Sequence, residues 1–311
     1  MPRDRVSELN LIKQRAGKYK RVPSYYDVIA LRDTWETRLK GVSPSDELVP
    51  IRIVTMLEVF LRHWIETFID HGAPYVERAS KLGANIKYDF AIAHSLQGGS
   101  VSLGQLIAHS VPLSRLDAVC AVFEVLLGGD LFGAIAKTRD RWKERLDSLT
   151  GGEPIIADVT RVRNTLGRLF DVRNIIVHEI PENKTHEGTD VSDFLDASAQ
   201  FLLAAEEEFL FLLHGNTPMT QAEMNQDAAN RHAQAMAELE AFCKEIELNT
   251  SSTEIHDVQR AWLTFKEAEA ERITQRQLGG SIRPMVYSMA AAEITTVRIQ
   301  QIKDLEEHRM D

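Results

Sequence analysis

The sequence predicts an all-α protein, and three observations carry that prediction. Apolar residues recur at three- and four-residue spacing through nearly every long segment. Alternating apolar and polar runs bounded by turn residues, the mark of strands, are almost absent. The periodic segments are separated by glycine, proline and capping residues of the kind that stop and start helices.

Taken in order, VPIRIVTMLEVFLRHWIETFIDH (49–71) reads as one long apolar helix and the best core candidate. Leu103–His109, Leu113–Leu127 and Leu131–Leu149 read as further helices, punctuated by Gly98-Gly99 and Gly128-Gly129. Asp158–Ile180 is predicted to end near Pro181, because the residue before proline avoids the helical region. Val191–Leu213 follows and is stopped by Gly215. HGNTPMT (214–220) reads as a linker, and TQAE (220–223) as a capping box, with Thr220 and Glu223 each bonding the other's backbone amide. From there one helix is expected to about Leu248, a second to about Gln277 and a third, after the LGGSIRP turn, to about His308. The expected organisation is a basic arm over 1–23, a helical bundle over 24–215 and a small three-helix bundle over 216–311.

Composition bounds the function. A chain of 311 residues with 44% hydrophobic and 26% charged residues is ordinary for a globular protein, and its length is a soft prior for two domains. No run approaches the ~18 apolar residues of a membrane span. The N-terminus lacks the apolar stretch of a secretory signal, and the two cysteines, Cys120 and Cys243, stand far apart without metal-ligand spacing. A cytoplasmic protein with reduced thiols is expected. The formal net charge of −10 argues against non-specific coating of nucleic acid, which depends on neutralising phosphates. Residues 1–22 nonetheless hold seven Lys/Arg, a solvated terminus or an arm that helps hold an anion. His63, His71, His94, His109 and His186 show no metal spacing, so no metal or cofactor is expected.

The segment RNIIVHE (173–179) is the chemically unusual one. On a helical wheel Val162, Leu166, Leu169, Phe170, Ile176, Val177 and Ile180 share a face, with Arg173 at its centre. Asn174 and His178 form an i,i+4 pair on its flank. An arginine so placed is either paired inside its own domain, with Glu58 the obvious partner, or faces a water-filled cleft, since burying it unpaired is costly.

Arginine, a polar residue, three more residues and histidine, in an all-α setting, resemble the motif helix of the HEPN superfamily, many of whose members are metal-independent endoribonucleases. The resemblance spans about 24–215, with the motif helix as its specific part. It implies catalytic roles for Arg173, Asn174 and His178. Histidine suits acid–base work near neutral pH, and arginine's planar fork suits a phosphorus centre gaining charge. The carbonyl end of a helix also favours a positive charge at His178. Asn174 would orient the imidazole or bond a phosphate oxygen. In that family two motif helices build one cleft, so a homodimer with a composite site is implied. Glu58 is a weak match to the family's acidic residue.

The blocks TQAEMN (220–225), VQRAWLTFKEAEA (258–270), LGGSIRPMVY (278–287) and ITTVR (294–298) resemble the lysozyme-inhibitor LprI-like domain. Where secreted members carry cysteines, this chain has Asp227, Ala270 and Ala290, so the resemblance implies a fold rather than lysozyme inhibition. Val258, Trp262 and Phe265 are expected in the bundle core, and Gly279-Gly280-Ser281 as a turn. The combined expectation is a toxin-like ribonuclease of anti-phage defence or toxin–antitoxin control, cutting RNA without a metal and regulated through its C-terminal domain. An antitoxin or a phage-derived trigger protein would be its partner. The competing expectation is a non-catalytic interaction or nucleotide-binding module.

Overall fold

A computed structural model describes residues 7–11, 14, 21–41, 45–84, 86, 89–99, 101–141, 143, 152–179, 182–250 and 254–307. These residues are all-α; the only strand-like pairing among them is an isolated antiparallel bridge between Arg139 and Pro154. The chain divides into two compact units, Met1–Gly215 and Asn216–Asp311. Of the basic arm, Arg3, Arg5, Lys13, Arg15, Lys18 and Lys20 lie outside the described residues, while Leu9 is buried in the first unit's core.

The first unit is built from α1 (Tyr25–Thr34, continued by a π turn to Leu39), α2 (Ser45–His71), α3 (Tyr75–Arg78), α4 (Phe90–Gln97), α5 (Leu103–Ala108), α6 (Leu116–Leu127), α7 (Leu131–Ile135), α8 (Val159–His178) and α9 (Gly188–His214). Helix α2 is the axis. It packs against α5, α8 and α9, which is why apolar side chains occupy several of its faces rather than a single stripe. Phe209 of α9 is the hub of the aromatic core: its ring stacks on Phe123 at 5.2 Å and meets Phe68 edge-on at 5.2 Å and Trp64 at 5.4 Å. Helix α5 approaches α2 so closely that a Cβ on Gly104 would lie 2.5 Å from the Glu66 carbonyl, and the Gly104 amide donates to Asp70 at 2.8 Å.

The helices depart from expectation in several places: α1, α3 and α4 lie outside the helices expected above, α6 starts at Leu116 and α9 at Gly188, and two expected helices differ most in extent. Helix α2 begins four residues before Val49, so Pro50 lies inside it. The helix expected over Leu131–Leu149 closes at Ile135; there the Ile155 amide donates to the Thr138 carbonyl and the Thr138 hydroxyl to Glu208 of α9, drawing the chain into a turn. Residues 144–151 lie outside the described ones.

The second unit comprises α10 (Gln221–Thr250), α11 (Glu254–Thr274) and α12 (Arg283–Glu307), with α12 packed along both others. The capping box forms: the Glu223 amide donates to Thr220 Oγ1 at 3.2 Å, and Glu223 Oε2 accepts from the Thr220 amide at 3.1 Å. Leu239, Ile246, Ile299 and Ile302 make the core, with Phe242, Cys243 and Trp262 against it. Ala270 and Ala290 meet in a second small buried cluster with Ala291 and Tyr287.

The expectation for α11 needs correction. Trp262 is half-buried, but Val258 and Phe265 are 53% and 57% exposed. The inward row of α11 is Trp262, Lys266, Ala270 and Thr274 at four-residue steps, and the polar members of that row displace Phe265 to the flank. Lys266 is 5% exposed; its ammonium donates to His232 Nε2 at 3.3 Å, lies 3.4 Å from the Met236 sulfur and sits 5.9 Å from the Trp262 ring.

Candidate functional site

Helix α8 starts where the Asp158 carboxylate accepts the Arg161 amide at 2.9 Å, and it ends with the Glu179 amide on the Ile175 carbonyl at 2.9 Å. Its inward face is Val162, Leu166, Leu169, Phe170 and Val172, all buried against α2 and α9. The last turn emerges: Ile176 is half-buried and Val177, His178 and Glu179 are exposed, while Ile180 lies outside the described residues.

Arg173 sits on the inward face and points at α2. Its Nη2 donates to Glu58 Oε1 at 3.1 Å, and the two side chains are 17% and 19% exposed. Its Nη1 donates to Asn174 Oδ1 at 2.9 Å, and Asn174 Nδ2 donates to the Ser114 carbonyl at 3.1 Å. The Nε of Arg173 is buried without a partner among the described residues. The Arg173-centred face therefore meets α2 of its own chain rather than a twin, because Glu58 offers a carboxylate at the point where the arginine would otherwise be buried unpaired. One turn further along α2, Arg62 donates to the Ala108 carbonyl at 3.4 Å; burial lowers its pKa and the Glu58 charge partly restores it. Glu58 is thus a carboxylate between two arginines.

The structure joins Arg173 and Asn174 directly but leaves His178 apart from both. Among the described residues His178 makes no hydrogen bond, ion pair or ring contact. Five residues separate it from Arg173, about 140° around the helix, so a single chain presents the two groups in different directions. A site that uses both on one phosphate needs a second source of one of them.

Sequence reading missed Ser114, because a backbone carbonyl leaves no signal in residue identity, whereas Arg62 is legible as the i+4 neighbour of Glu58 on α2. Cys120, near the start of α6, has its thiol pushed up by burial, the opposite of an activated nucleophile. Among the described residues no three His, Cys, Asp or Glu side chains are grouped to hold a metal ion. No helix among them is long and apolar enough to cross a membrane.

Fold and site together define a two-unit all-α chain with a Glu–Arg–Asn network at the end of one helix and an exposed histidine beyond it. Residues 215–302 match the family model described as Lysozyme inhibitor LprI, so the second unit is similar to that family across nearly its whole length. No curated protein and no solved structure matches the chain.

Proposed function

We propose that the first unit is a metal-independent endoribonuclease of HEPN type that works as a homodimer, with the LprI-like unit as its sensor or regulator. The observation that carries the reading is the end of α8: an arginine fixed by Glu58 and Asn174, and, past it, an exposed histidine bound to nothing among the described residues. An exposed imidazole with no protein partner is open to a substrate or to a second subunit.

The chemistry follows from the residue types. A ribose 2′-hydroxyl attacks the adjacent phosphorus as a base removes its proton. The bond from phosphorus to the 5′-oxygen breaks as an acid protonates that oxygen. The products are a 2′,3′-cyclic phosphate and a 5′-hydroxyl end. His178 from each copy serves as base or acid, Arg173 offsets charge on the phosphoryl oxygens, and Asn174 holds the Arg173 fork in place. Glu58 is a positioning residue. The biological role is toxin-like, in anti-phage defence or toxin–antitoxin control, with an antitoxin or phage-derived protein acting on the C-terminal unit.

The test is cleavage of single-stranded RNA by purified protein in EDTA. His178→Ala should reduce the rate by roughly 10²-fold or more, the scale of acid–base catalysis, and a strand with a 2′-deoxy residue at the cut site should survive. Full activity in the variant rejects the assignment of His178. A second reading is favoured by one observation, the closure of the Arg173–Glu58 pair inside a single chain: Arg173 then stabilises the bundle and the unit is a non-catalytic interaction module. Absence of cleavage by the wild type, together with no growth arrest on its expression, would support that reading.

A further inference from the structure

One flank of α8 carries a row of residues that the motif does not include. Thr160, Asn164, Gly167, Asp171, Asn174 and His178 follow one another at steps of four, three, four, three and four, which keeps them within about 80° of arc on a 3.6-residue helix. None is a large apolar residue, and all are exposed or half-buried. The row runs for about 27 Å, at 1.5 Å per residue, and ends at His178. Two cavities, about 420 Å³ and 480 Å³, lie along the row from Thr160 to Asp171 and share Arg163 and Asn164. Across from α8, one wall of the first cavity is the start of α6, where Arg115 lines the cavity and the Ser114 carbonyl is tied to Asn174.

The charges in this groove are unequal in what they have left to give. Arg168 is spent, with both terminal nitrogens on Asp190 at 2.7 and 2.8 Å. Arg163 is not: it lies 3.9 Å from Asp130 and 5.5 Å over the Phe132 ring, and it makes no hydrogen bond among the described residues. Arg115 uses only its Nε, on Asp117 at 3.1 Å, and keeps both terminal nitrogens available. That bond holds the Asp117 carboxyl below its usual value. Asp171 is the lining carboxylate without a partner among the described residues. Two cations with spare donors beside a lone carboxylate and an amide suit a strand that offers phosphates and base N–H groups together. A bare polyanion would be repelled by Asp171.

We propose that this groove is the track on which a single RNA strand lies, with Arg115 and Arg163 on successive phosphates, and with Asn164 and Asp171 on base edges. The track delivers the strand along α8 to His178. The inference rests on the nuclease reading for its destination, but the groove's own chemistry can be tested apart from cleavage.

The probe is a fluorescent single-stranded RNA 12-mer with every 2′-hydroxyl methylated, so that the attacking group is blocked. Binding is followed by anisotropy from 50 to 200 mM salt, using the full chain. Arg115 and Arg163 are exposed, so replacing them spares the core. The variant R115A/R163A should bind at least ~10-fold more weakly, and its log–log salt slope should be shallower by about 1.4, at ~0.7 for each phosphate of a single strand that is no longer neutralised. Asp171→Asn should change the preference among strands of different base composition while leaving the salt slope alone. An unchanged affinity and slope in R115A/R163A overturns the proposal, as does absence of binding by the wild type. Binding with these responses but without cleavage of ordinary RNA upholds the groove and rejects the nuclease. Cleavage with an R115A/R163A variant of unaltered KM upholds the nuclease and rejects the groove.

Discussion

Glu58 is the residue through which α2 addresses α8. It sits between Arg62 and Arg173, and neither the carboxylate nor the Arg173 guanidinium is more than one-fifth exposed. Glu58→Gln keeps the shape and removes the charge. Hydrogen bonds to charged partners contribute about 1.5–3 kcal/mol, so the variant should lose stability on that scale, read as a lower urea midpoint with unchanged m; an unchanged midpoint would show that the pair adds nothing net. Glu58 was legible in the sequence as the partner of Arg173, because an arginine in an apolar stripe demands a carboxylate. The separation of His178 from Arg173 follows from the wheel, yet sequence periodicity alone does not say which neighbour each direction meets. A second residue-scale prediction concerns His232. Burial, then the Lys266 ammonium, lowers its pKa. A histidine with a depressed folded pKa is protonated first in the unfolded chain. Its contribution is therefore intact above the unfolded value of about 6.5 and lost as pH falls below it. The wild type should lose thermal stability relative to His232→Gln on going from about pH 7.5 to about pH 5.5; parallel curves for the two proteins would show that His232 is not titrating against Lys266.

Helix α8 shows how much a single element reveals and where it misleads. Its existence, its Asp158 start and the burial of Val162, Leu166, Leu169 and Phe170 all follow from spacing. Spacing does not say whose surface the stripe meets. Most of it meets α2 and α9, and only the last turn is left outside. Phe170, 1% exposed, belongs to the unit's own core, whereas Val177, 46% exposed, does not. The two positions therefore separate folding from assembly. Phe170→Asp should unfold the unit, because an unpaired charge in a core has no compensation. Val177→Asp should leave the helical circular dichroism and melting temperature nearly unchanged, while sedimentation shows monomers and RNA cleavage is lost with the dimer. A Val177→Asp protein that is monomeric and fully active would show that one chain holds the whole site. The same limit explains α11, where apolar identity pointed to Phe265 but the inward row includes Lys266, buried against His232 and Met236 that only the tertiary fold brings to it, and Thr274, whose hydroxyl bonds the Glu271 carbonyl of its own helix.

At the scale of the whole molecule the division near residue 215 rests on backbone chemistry. Gly215 has φ +64°, a left-handed value that side-chain-bearing residues avoid, and it ends α9 there. Thr220 and Glu223 then open α10 with their own hydrogen bonds. Each unit closes its own core, around Phe209 in one and around Leu239, Ile246, Ile299 and Ile302 in the other. Glu58, Arg173, Asn174 and His178, and the groove along α8, all belong to the first unit. If the second unit regulates and does not build the site, it should be removable. A chain ending at Gly215 should fold, form dimers and cut RNA with a rate within a few-fold of the full chain, and should lose whatever response the full chain shows to a partner protein. The measurement compares the two proteins by circular dichroism, sedimentation and RNA cleavage in EDTA. A shortened chain that is helical and dimeric yet inactive would place an essential group after residue 215, and the assignment of catalysis to one unit and regulation to the other would fall with it.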